Sequence, residues 1–153
     1  MKKIAICLLA LCLVIGLAAC GRKNPVEPRM AALYLPNENA DGFIVKEAVT
    51  NGTAEDLVAL LAAEGALPEG CALLGFANGA ADMNEAYGRA INSTGTAGEY
   101  LRIGCLVNTL LIFFGLEEIT LTVEGRIPET GHAVYDQPLR FFENQVSVVE
   151  QEP

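Results

Sequence analysis

Tryptophan is absent from the 153 residues, histidine occurs once, and basic side chains number 10 against 19 acidic ones. Each shortage removes a class of function. With few cations and a formal charge of −9, the chain does not suit the phosphates of nucleic acid. Nor does it suit an anionic lipid surface reached by charge alone. His132, in "ETGHAVYD", cannot build a zinc site without a second histidine or a cysteine pair. Serine occurs only at Ser93 and Ser147, and no Gly-x-Ser-x-Gly holds a nucleophile in a strained elbow. Tyr34, Tyr87, Tyr100 and Tyr135 are too scattered to form a stacking platform for bases. The expectation is no catalytic residue, no cofactor and no metal.

What is present begins at once. "MKKIAICLLALCLVIGLAAC" carries Lys2 and Lys3, then an uncharged stretch from Ile4 to Leu17, then "LAAC" at 17–20. An apolar run that short, behind a positive start, reads as a signal peptide over 1–19. "LAAC" resembles the bacterial lipobox, in which the peptide is cut before the cysteine and the thiol carries a diacylglycerol. The expectation is a chain lipidated at Cys20 and anchored to the cell membrane on its extracytoplasmic face. Removing Lys2 and Lys3 leaves 8 basic side chains against 19 acidic ones, a formal charge of −11. Cys7 and Cys12 leave with the signal, so Cys71 and Cys105 remain in the body. Outside the cytoplasm they can pair, but two cysteines make no framework, and small buried apolar side chains account for them as well.

Residues 20–29 hold two prolines and several charges, a tether after the lipid site. "MAALYLP" (30–36) and "FIVKEAVT" (43–50) read as strands. "TAEDLVALLAAEG" (53–65) reads as a helix, with Thr53 as N-cap, Glu55 and Asp56 in the first turn and Gly65 after the last. "CALLGFANGAADMN" (71–84) reads as two strands around Asn78-Gly79, a type I′ turn pair. "EAYGRAIN" is ambiguous, with one helical turn as its reading. A long helix follows to Gly115, with Thr96 and Glu99 spaced as a capping box and Ile103, Leu106, Val107, Leu110 and Phe114 on one apolar stripe. "LEEITLTVEG" (116–125) alternates as a half-buried strand, and 144–153 is an acidic tail.

"PNENADGF" (36–43) has the opening rhythm of a calcium loop. Counted from Asn37, the twelfth position is Ala48 where a bidentate carboxylate is required, and strands flank the loop where helices belong. A turn explains each residue, with Gly42 as the position expected to take positive φ.

"YLPNENADGFIVKEAV" (34–49), "INSTGTAGEYLRIGCLVNTL" (91–110) and "GLEEITLTVEGRIPETGH" (115–132) follow one another in this order. Together they resemble the GerMN domain of sporulation and spore-germination lipoproteins, in one copy over residues 30–143. The resemblance implies a small α+β domain, a mixed or antiparallel sheet packed by two main helices and similar to the ring-building motifs of secretion channels. It implies no catalytic or cofactor-binding residues, and partners among envelope or sporulation-complex proteins or the cell wall. Two classes of function follow. One is an assembly or interaction module; the other is an envelope enzyme or a small-ligand or wall-binding lipoprotein, for which the sequence offers no convergent set of titratable groups.

Overall fold

The computed structural model describes residues 27–143 and 145–148; the signal peptide and Cys20 lie outside the described residues. In chain order the elements are β1 (Arg29–Pro36), β2 (Gly42–Thr50), α1 (Ala54–Ala63), β3 (Leu73–Ala77), β4 (Ala80–Met83), α2 (Glu85–Asn92), α3 (Thr96–Phe114), β5 (Thr120–Val123) and β6 (Gln145–Val148). The class is α+β, but the strands form two three-stranded sheets rather than one, ordered β1-β2-β6 and β3-β4-β5. Both follow one plan: an antiparallel hairpin, then a parallel strand beside the hairpin's second strand. The second sheet, with α2 and α3, is inserted in the chain between β2 and β6. The stretch expected to be only an acidic tail therefore contributes a strand.

The β1–β2 hairpin runs from Arg29↔Thr50 to Pro36↔Phe43. Its loop is the "NENADG" stretch, and it is a turn: the Asn37 N–H donates to the Gly42 carbonyl at 2.9 Å and the Ala40 N–H to the Asn37 carbonyl at 3.0 Å. Asn37 and Asp41 clasp each other, the amide donating to the carboxylate at 2.7 Å and the Asp41 N–H to Asn37 Oδ1 at 3.1 Å. The residue with positive φ is Ala40 (54°), not Gly42. In the second hairpin Asn78 (52°) and Gly79 (76°) both lie in the left-handed region, as a type I′ turn requires.

Thr53 caps α1, its hydroxyl accepting the Asp56 N–H at 3.2 Å. "EAYGRAIN" is a full helix, α2, and its cap is Asn84, whose Oδ1 accepts the N–H groups of Tyr87 (3.2 Å) and Ala72 (3.1 Å). The cap of α3 is Gly95, with no side-chain bond; the expected Thr96–Glu99 box does not form. Gly115 ends α3 at φ 64°. By length and composition α3 could cross a bilayer, but most of it is buried. Ile103, Leu106, Val107 and Leu110 are fully buried, with Phe114 half-buried beside them.

Two buried polar residues of α3 fix its neighbours. Thr109 Oγ1 accepts the Tyr34 N–H at 3.0 Å, so the helix occupies a donor on the outer edge of β1 that would otherwise invite another strand. Asn108 accepts the Phe142 N–H at 2.9 Å and donates to its carbonyl at 3.3 Å. That two-point clasp seats the 141–142 segment, where Phe142 packs on Tyr100 and Phe141 meets Tyr34 edge-on at 5.4 Å.

Candidate interaction surface at the N-terminal end of the long helix

At 1.5 Å per residue, the 19 residues of α3 span about 28 Å. β1 runs against it from one end to the other. Arg29 lies over the Phe113 ring at the helix C-terminus, 4.5 Å from the centroid. Ala40 and Asp41 of the first turn share a hollow with Thr96, Ala97 and Tyr100 at its N-terminus.

The N-terminal end also carries a strap, residues 126–138, held by one carboxylate. Glu99 is 2% exposed. Its Oε1 accepts the Thr130 hydroxyl at 2.8 Å and the Tyr135 hydroxyl. Thr130 Oγ1 in turn accepts the N–H groups of Ala133 (3.0 Å) and His132 (3.1 Å), closing a small loop around the Glu129↔Val134 bridge. Being in the first turn of α3, Glu99 also sits where the helix dipole favours negative charge. The Tyr135 phenol is pushed far above its ordinary range, first by burial, then by the hydrogen bond to Glu99 and by that carboxylate's charge. Tyr87 is raised as well, chiefly by complete burial. Glu99 Oε2 and the Tyr87 hydroxyl are buried with no hydrogen-bond partner among the described residues.

The strap exposes two large apolar side chains among charged and polar ones. Ile127 and Val134 are 57% and 55% exposed. An open groove of about 250 Å³ is lined by Ile127 with Gly88, Ile91, Val123 and Pro128, and by the polar Asn92, Arg126 and Glu129.

His132 is exposed at the tip of the strap. Cys71 and Cys105 are buried free thiols, and burial pushes Cys105 up to about 12. Among the described residues no three His, Cys, Asp or Glu side chains gather as metal ligands do. Sequence reasoning assigned Glu99 to a helix cap and missed its place in the strap. Its partners lie 31 and 36 residues downstream, a pairing that no local pattern encodes.

No protein-family model matches this chain, and no curated protein does. A crystal structure of a protein from Clostridium perfringens, provisionally described as a lipoprotein, overlaps it at a TM-score of 0.43 with 16% identity, covering 74% of this chain and 87% of that one. A likeness at that level carries no argument about function.

Proposed function

We propose that the chain is a lipoprotein held by a diacylglycerol on Cys20 at the extracytoplasmic face of the cell membrane. Its GerMN-like domain works there as a non-catalytic assembly module of a cell-envelope, sporulation or germination complex. The observation that carries this reading is a separation. The lipid site precedes β1, which starts at the C-terminal end of α3, while the strap with exposed Ile127 and Val134 lies at the opposite end. Such a layout anchors one end and presents the other. The ordered motifs over 34–132 support the GerMN assignment, and the alternating apolar and charged side chains of the strap suit a protein partner.

Cys20→Ala tests the anchor. It should abolish incorporation of labelled fatty acid and leave unprocessed precursor; normal labelling and processing would refute it. A photo-crosslinking residue at Val134, used in cells, tests the presented end. It should trap an envelope protein that the same group at exposed Glu55 on α1 does not.

A further inference from the structure

We infer that the C-terminal end of α3 rests against the phospholipid bilayer, with Met30 and Val49 entering the headgroup region. This inference rests on the reading of Cys20 as the lipid anchor. Met30 and Val49 face each other in register at the open end of the β1–β2 hairpin, and they are 58% and 62% exposed. Alternation along β1 places Met30 on the same face as Tyr34. Farther along that face the ribbon is covered: Tyr34 meets Phe141, and Phe43 packs against Gly104 and Phe142. The cover stops short of Met30, Val49 and exposed Glu47, which shares their face. Ile112, 52% exposed on the last turn of α3, borders a groove with Leu116, Phe141 and the charged Glu117 and Arg140.

The occupant follows from chain length and charge. Eight residues lie between Cys20 and Arg29, and the nine steps at full extension reach only about 30 Å. A bilayer holding the acyl chains is therefore always within reach of this end, at high effective concentration. Arg29 forms no ion pair among the described residues, and its guanidinium lies over the Phe113 ring at 4.5 Å. Exposed Glu117 and Glu118 follow the same helix end, so attraction to anionic headgroups does not drive the contact. Neutral lipid suffices.

The chain has no tryptophan, so a single indole reports its own surroundings. The full acylated protein is reconstituted into phosphatidylcholine vesicles with brominated acyl chains, as Met30→Trp, as Val49→Trp and as Ile127→Trp. All three sites are exposed, so the indole leaves the core untouched. Mass spectrometry of the same preparations reads the lipid on Cys20. The expected result is that tryptophan at 30 and at 49 loses most of its emission to the brominated lipid while tryptophan at 127 does not. Equal emission at all three positions on acylated protein overturns the docking and leaves the anchor standing. A blue shift at 30 and 49 without quenching overturns it too, showing that protein covers the patch. Unmodified Cys20 overturns the anchor, and the docking with it.

Discussion

In its C-terminal half α3 buries Leu106, Val107, Leu110 and Leu111 in the core, alongside the hydrogen-bonded Asn108 and Thr109. At its N-terminal end it is seated by a carboxylate that gathers two hydroxyls from a distant strap. Hydrocarbon packing has no direction and tolerates small shifts, whereas a buried Glu99 must keep its donors or bear the full cost of desolvation. The first arrangement builds a core. The second fixes the position of one particular loop, which is what a presenting surface requires.

Alkali is the broadest way to break the balance. Cys105 moves from 9.0 to about 12 on folding through burial, and buried Tyr87 and Tyr135 are raised as well. The folded chain keeps protons that the unfolded chain releases, so the stability from these groups is complete below pH 9 and is lost as pH rises towards 12. Denaturant midpoints measured across that range should fall steeply. A flat profile would mean that the raised groups are not enclosed.

Leu110→Ala attacks the hydrocarbon end. It should cost about 2–5 kcal/mol of the roughly 5–15 available to a domain, lowering the melting temperature of the whole molecule. A variant that melts like the parent would show that the stripe is not core, and would make it a docking face instead.

Glu99→Ala attacks the other end and leaves two hydroxyls without their acceptor, at about 1–3 kcal/mol. Hydrogen exchange should accelerate at Ala133 and Tyr135, but not at Tyr34, whose N–H is held by Thr109. Glu99→Gln keeps an acceptor oxygen and should lose less. Equal acceleration at both ends would dissolve the distinction drawn between them. The smallest effect belongs to Glu117→Lys, on an exposed side chain past the end of α3, where the melting temperature should shift by no more than about 0.5 kcal/mol implies.

What the sequence disclosed and what it hid divide along the same axis. The apolar stripe, the Thr53 cap, the Asn78-Gly79 turn and the Gly115 stop are all encoded within a few residues, and all were legible. α2 was underread because Asn84 was assigned to the end of a strand pair, although Asn84, Glu85 and the spacing of Tyr87, Ala90 and Ile91 form a helix start with a buried face. The second sheet and β6 depend on parallel partners far along the chain, which alternation alone does not supply. Glu99 carried a sound local signal for the wrong job. Ala40 was overlooked because glycine is the default where φ is positive; the Asn37–Asp41 clasp holds Ala40 there instead.

The nesting of one sheet within the other sets an order in time. The inner parallel pair joins Ala80 to Thr120, whereas the outer joins Gly42 to Gln145, a separation more than twice as great. Each doubling of a closed loop adds only about 0.6 kcal/mol of entropy, so distance itself is a small obstacle. Availability is the larger one. A chain delivered from its N-terminus has every strand of the inner sheet in hand before β6 has emerged. The β1–β2 hairpin must wait, with the far side of β2 unpaired, until the chain has been delivered as far as Gln145.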